Sequence, residues 1–203
     1  MRWLTPLLIS FALSLLTGCG ALSSLSKAGE ELDAYTLSPA TGSGAPAGGS
    51  RHLIVELPSS PGALSSERIL IKPVPYQAQY LPGGSWAEPA PALVQTLLVA
   101  SFQNLGGFRL VGRTANGLNP DYTLMTELQD FQAEPLGSKR AGYVVRISMI
   151  MTMIRESDRR IVASRRFSAV ETVVSDDTAP LVGGFDRALK TVLQEAVIWA
   201  AQQ

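Results

Sequence analysis

The stretch YVVRISMIMTMIRESDRRIVASRRF, residues 143–167, decides the fold class. Val145, Ile147, Met149, Met151 and Met153 recur at every second residue, with Arg146, Ser148 and Thr152 between them. Successive side chains of a strand point to opposite faces, so the alternation predicts one strand, Tyr143 to Arg155, with one apolar face. The charged run Glu156-Ser157-Asp158-Arg159-Arg160 has turn chemistry, and Ile161, Ala163, Arg165 and Phe167 alternate beyond it. Two alternating runs joined by a short polar turn read as an antiparallel hairpin.

On the amino-terminal side of this hairpin, Tyr122, Leu124, Thr126 and Leu128 alternate along a further strand that continues to Phe131, and Phe108 to Val111 is a short one. Before them Val94, Leu97, Leu98, Ser101, Phe102 and Leu105 fall at helical spacing. Pro89 and Pro91 suit that helix's first turn and Gly106-Gly107 its end. His52 to Leu57 and Arg68 to Lys72 read as strands, whereas Pro73, Pro75, Pro82 and Gly83-Gly84 predict an irregular loop. On the carboxyl-terminal side, Asp176-Asp177-Thr178 with Pro180 starts a second helix. Its apolar stripe is Phe185, Ala188, Leu189, Val192, Ala196 and Trp199. Strands, helix, strands, helix is the order of an α+β domain: an antiparallel-rich β-sheet with two helices packed on one face, over residues 51–203.

The first 50 residues read differently. One positive charge in Met1-Arg2-Trp3 precedes an apolar run from Leu4 to Leu16 that would cover only about 20 Å as a helix. A membrane core needs about 30 Å, so residues 1–18 read as a secretory signal peptide rather than a span. Leu16-Thr17-Gly18-Cys19 resembles the bacterial lipobox, and Cys19 is the only cysteine. A thiol is the strongest available nucleophile for thioether attachment of diacylglycerol, and small residues before it admit a peptidase. The resemblance implies cleavage between Gly18 and Cys19, then diacylglycerol on the sulfur and an N-acyl chain on the freed amine. Two or three acyl chains hold a protein stably on a membrane where one does not. Gly20 stands where many enterobacterial lipoproteins held at the inner membrane have aspartate, so the resemblance implies sorting to the outer membrane, facing the periplasm. Residues 19–50 read as a tether, because Ser38 to Ser50 are all Gly, Ala, Ser, Pro or Thr. Tyr35-Thr36-Leu37 interrupts it as a candidate edge strand.

Composition narrows the chemistry. The chain has 203 residues, 46% hydrophobic, enough for a sizeable core, and 17 basic residues against 17 acidic ones. A balanced charge gives no field that would recruit nucleic acid. One cysteine and one histidine leave no disulfide framework and no imidazole cluster for a metal. His52, at the start of a strand taken as an edge, reads as a solvated residue rather than a catalytic base. No nucleophile elbow, zinc-protease motif or phosphate-binding loop occurs. Glu127 and Asp130, three apart on a strand, are expected on opposite faces, so they make no acid–base pair. The chain is therefore read as non-enzymatic and without cofactor beyond its lipid. Arg155, Arg159, Arg160, Arg165 and Arg166 cluster near the hairpin tip. They read as a solvated hairpin or as a contact for acidic lipid headgroups or an acidic partner. The methionine ladder fits a core or an apolar ligand surface; core packing is favoured, because a sheet beneath two helices needs an apolar face.

The lipobox ending at Cys19, Tyr35-Thr36-Leu37, a proline-broken loop reaching Trp86, Gly107-Phe108, Asp121-Tyr122-Thr123-Leu124 with Phe131, Phe167 and Trp199 together resemble the ABC-type transport auxiliary lipoprotein family, in its PqiC-like group. The resemblance implies a non-catalytic accessory of an MCE-type lipid-transport system. Its partners would be an MCE-domain protein and an ABC permease and ATPase, with phospholipid as a possible ligand. The alternatives are an outer-membrane assembly lipoprotein that binds a barrel or secretion component, and a shuttle that binds lipid directly.

Overall fold

The computed structural model describes residues 32–42, 49–113, 119–137 and 141–203; residues 1–18, read above as a signal peptide, and Cys19 lie outside the described residues. The strands are β1 (Ala34–Tyr35), β2 (His52–Val55), β3 (Arg68–Ile71), β4 (Gln79–Trp86), β5 (Leu110–Gly112), β6 (Tyr122–Pro135), β7 (Tyr143–Arg155) and β8 (Arg160–Val173). Among the described residues the α-helices are α1 (Ala90–Leu105) and α2 (Thr178–Ala201). All eight strands form one sheet.

The expected hairpin is β7–β8, paired antiparallel from Arg155↔Arg160 to Tyr143↔Val173. β6 pairs antiparallel with β7 along its whole length. The opposite edge of β6 serves two short strands in succession. Its first residues take β2 in parallel (Leu53↔Tyr122), and its last take β3 in parallel (Leu70↔Gln132). β5 then joins β2, and β4 and β1 extend the sheet beyond β3. The three long strands make the sheet mostly antiparallel. The parallel joins could not be read from sequence, since nothing in the short strands marks their direction.

Both helices pack on one face of this sheet, α2 over β7 and β8 and α1 against α2, β2 and β5. Pro91 sits in the first turn of α1, where a missing N–H costs nothing. Gly106, at φ 85°, ends that helix with its N–H donating to Phe102 O. Trp86, Phe131 and Phe185 meet at centroid separations of 5.2–5.5 Å and join β4, β6 and α2 at the centre of the core. Phe167 meets Trp199 edge-on and ties β8 to the last turns of α2. Gly184 lets α2 lie directly on the strands, since a Cβ there would collide with Val173 and press on Val145.

Four expectations are corrected. The stretch 79–86 is strand rather than loop: Arg68 pairs Ser85 but Leu70 pairs Tyr80, so Leu81–Gly84 form a bulge opposite Ile69. Pro82 therefore meets no ladder position that needs its missing N–H. His52 opens a strand flanked by β5 and β6, not an edge. Ile161 is 67% exposed, because a bulge at Val162 shifts the register between Ile154↔Ile161 and Met153↔Ala163. One extra residue turns every later side chain over.

The fourth concerns the chain that composition assigns to the tether. β1 pairs in parallel with Ser85 and Trp86, and Leu37 and Ala40 are buried. The Ala40 N–H donates to Ser101 Oγ (2.9 Å), its carbonyl accepts from Asn104 Nδ2 (3.1 Å), and the Ser38 N–H donates to Asp186 Oδ1 (2.7 Å). The folded body therefore begins at Asp33. Small residues dock here through their main chain, satisfied by side chains of α1 and α2, and composition carries no signal of that.

Candidate functional site

The five arginines of the hairpin do not form one patch. Arg160 is 81% exposed along its side chain, with its Nε 4.0 Å from Asp158 Oδ2. Arg165 stands over the Phe167 ring at 5.1 Å, while Arg166 donates from Nη1 to Ser148 Oγ (3.1 Å) on the face away from the helices. Neighbours on a strand point to opposite faces, so Arg165 and Arg166 had to part.

Arg155 and Arg159 do come together. They line a groove of about 510 Å³ at the end of the sheet where β6 begins and β7 turns into β8. The third cation there is Arg51, which sequence reasoning left out. Its guanidinium carbon lies 5.4 Å from the Phe108 centroid and 5.2 Å from that of Tyr122, and Nη2 donates to Ala201 O (3.2 Å). Two aromatic faces and the end of α2 thus hold this guanidinium in place. Arg51 precedes β2, and only the parallel pairing of β2 with β6 brings it beside Tyr122. Nothing local in the sequence signals that neighbour.

The groove wall is a short polar network. The Asp121 N–H donates to His52 O, the Glu156 N–H to Asp121 O, and the His52 N–H to Asp121 Oδ2 (2.7 Å). Thr123 Oγ1 donates to Glu156 Oε1 at 2.6 Å. Arg155 Nε lies 3.8 Å from Asp158 Oδ1 within the turn. Arg159 occupies the left-handed region at φ 57°, uncommon for a residue other than glycine, asparagine or aspartate.

The other end of the long strands carries a smaller groove of about 300 Å³, bordered by Lys72, Pro73, Pro75, Glu134 and Pro135. Arg146 donates to both oxygens of Glu134 at 3.2 Å. Those hydrogen bonds hold the Glu134 carboxyl below its ordinary range, against a smaller opposing push from burial. Asp176 also works at this end: its Oδ1 accepts from the Gly142 N–H (2.9 Å), so it ties a turn rather than capping α2.

Glu127 and Asp130 lie on the same face, away from the helices, because a bulge falls between Leu128↔Met149 and Asp130↔Ser148. Their neighbours are Gln129, which donates to Glu127, and Gln132, which donates to Asp130. Met149, Met151 and Met153 are wholly buried and line neither groove. Among the described residues no group of three or more potential metal ligands is assembled, and no helix is long and apolar enough to cross a membrane.

Residues 35–197 match the family described as the ABC-type transport auxiliary lipoprotein component. The chain belongs to this family. The match starts at Tyr35 in β1 and ends within α2, so the auxiliary-lipoprotein unit includes the segment that packs ahead of β2. An uncharacterised protein of Bradyrhizobium diazoefficiens is 28% identical over 153 residues, which are 74% of this chain and 39% of that protein. The chain thus spans well under half the length of that relative. The crystal structure of a Xanthomonas campestris protein superposes with a TM-score of 0.74 at 28% identity, covering 85% of this chain and 95% of that one. A second solved structure, of an uncharacterised protein, shares the fold at a TM-score of 0.57 and 18% identity over 85% of this chain and 95% of that one.

Proposed function

We propose that this auxiliary lipoprotein is a non-catalytic docking component of an MCE-type lipid-transport system, anchored to the outer membrane through acyl chains on Cys19. The observation that carries the reading is the family match across 35–197. The sealed methionine face supports docking over carriage, since a shuttle needs an internal apolar cavity of roughly 300–1,000 Å³ and these methionines are packed as core. The partners in this reading are an MCE-domain protein and the ABC permease and ATPase.

The packed segment from Asp33 bears on geometry. Because the folded body begins at Asp33, the tether in this reading is shorter than the residues 19–50 that composition assigns to it.

The test is a pull-down of the intact lipoprotein from native membranes in mild detergent. Recovery of an MCE-domain protein or ABC subunits is expected. Recovery of only a barrel or secretion component would replace this reading with an assembly role. Cys19→Ser should abolish lipid labelling and membrane partition; normal labelling of that variant would refute the anchor.

A further inference from the structure

We infer that the groove between Arg51 and the hairpin turn is a binding site for a zwitterionic phosphodiester, a phosphate group carried beside an amine. Arg51, Arg155 and Arg159 line one groove of about 510 Å³ together with Asp121 and Glu156, a volume that suits a headgroup-sized ligand. Arg51, Arg155 and Arg159 supply the planar forks of donors that match phosphate oxygens. Arg51 is already immobilised by the Phe108 and Tyr122 rings and by Ala201 O, so little of its freedom is lost on binding. Asp121 and Glu156 each use one carboxylate oxygen to hold the wall, through the His52 N–H and Thr123 Oγ1. The second oxygen of each makes no hydrogen bond to another described residue and is the place for an ammonium. A simple anion would meet these carboxylates as repulsion, whereas a zwitterion meets both signs with their complements.

The backbone adds an independent argument. Arg159 holds a left-handed conformation in which glycine would be less strained. A long cationic side chain kept there, beside two other arginines, is explained if its guanidinium is needed in the groove.

Such a phosphodiester can come from a bilayer headgroup or from a soluble glycerophosphodiester. The inference deepens the lipid-transport reading, but its test reads the groove alone and is independent of which partners are captured. The intact lipoprotein in nonionic detergent is titrated with glycerophosphoethanolamine and, separately, with inorganic phosphate. The expected result is saturable binding of the zwitterion, at least about tenfold tighter than phosphate, and weakened by a similar factor in Arg159→Gln. Arg159→Gly should weaken binding equally while leaving the melting temperature unchanged or raised, which separates ligand loss from unfolding. Absence of binding at millimolar concentrations, phosphate binding as tightly as the zwitterion, or full affinity in both Arg159 variants would each overturn the proposal. Native mass spectrometry from micelles doped with phosphatidylethanolamine distinguishes the sources. A lipid adduct lost in Arg159→Gln assigns the bilayer headgroup; binding of the soluble compound without an adduct assigns the free phosphodiester.

Discussion

The two faces of β6–β8 are built from the same strands and obey different rules. The face beneath the helices carries Leu124, Leu128, Phe131 and Ala133 from β6 and Val145, Ile147, Met149, Met151 and Met153 from β7, all essentially without solvent contact. The opposite face mixes Thr152, Ser164, Arg146, Glu134 and Arg166 with scattered exposed apolar residues such as Met125, Ile161 and Val170. The inner face is close-packed, so each position is sensitive to volume. Most of the outer face is held by pairwise polar contacts beside water, each worth little, although Gln132 and Ser148 on it are buried. The larger share of apolar burial lies on the inner face.

Phe131→Ala should break the inner face most severely, because Phe131 touches both Trp86 and Phe185. Urea unfolding is expected to show a loss of about 3–5 kcal/mol. A loss no larger than that of an outer-face change such as Val170→Thr, expected within about 0.5 kcal/mol, would erase the distinction. Gly184→Ala, which presses a methyl on Val173 and Val145, should cost about 1–3 kcal/mol by overpacking and shift α2. Near-neutrality there would mean that the helix does not need its close approach.

Asp186 links the helix layer to the amino-terminal segment, accepting from the Ser38 N–H and from Lys190 Nζ, both at 2.7 Å. Burial pushes its carboxyl up, but hydrogen bonds from Lys190 and Ser38 and the Lys190 charge together outweigh that, and the group ends below its ordinary range. Its folded pKa lies below the unfolded value. The contribution is therefore complete above about pH 5 and is lost as pH falls through the ordinary aspartate range toward the folded value. Asp186→Asn should cost about 1 kcal/mol at neutral pH, and the difference from wild type should shrink on acidification. A constant difference as pH falls through and below the ordinary aspartate range would count against the linkage.

On the outer face, Glu134→Gln removes the Arg146 pair, whose side chains are substantially exposed. A few tenths of a kcal/mol is expected, disappearing in high salt. Salt-independent loss would mean that this face is less solvated than its residues imply.

The alternation in 143–153 and the stripes of both helices were legible because each depends only on neighbours along the chain. Ile161 and the pair Glu127 and Asp130 were misplaced for one reason: a single extra residue at a bulge reverses the face of every later residue in the strand, and neither Val162 nor Gln129 looks unusual in sequence. The stretch 79–86 read as loop because proline and glycine pairs signal turns, while its strand pairing comes from β3 and β1. Tyr35-Thr36-Leu37 was legible as a candidate edge strand, and Tyr35 stands in β1; Ser38–Ala40 read as tether because their docking uses main-chain groups. The hairpin arginines were legible as a cluster, but not which of them face one groove.

By itself the sequence determined the fold class, the buried methionine face and both helices, since periodicity translates directly into which side meets a core. It also carried the motifs that resemble the auxiliary-lipoprotein family. Tertiary structure alone decided that Arg51 stands with Arg155 and Arg159, and that two carboxylates share their groove. Arg51 lies about a hundred positions away from the hairpin, and only a parallel strand pairing, which leaves no local trace, sets them side by side.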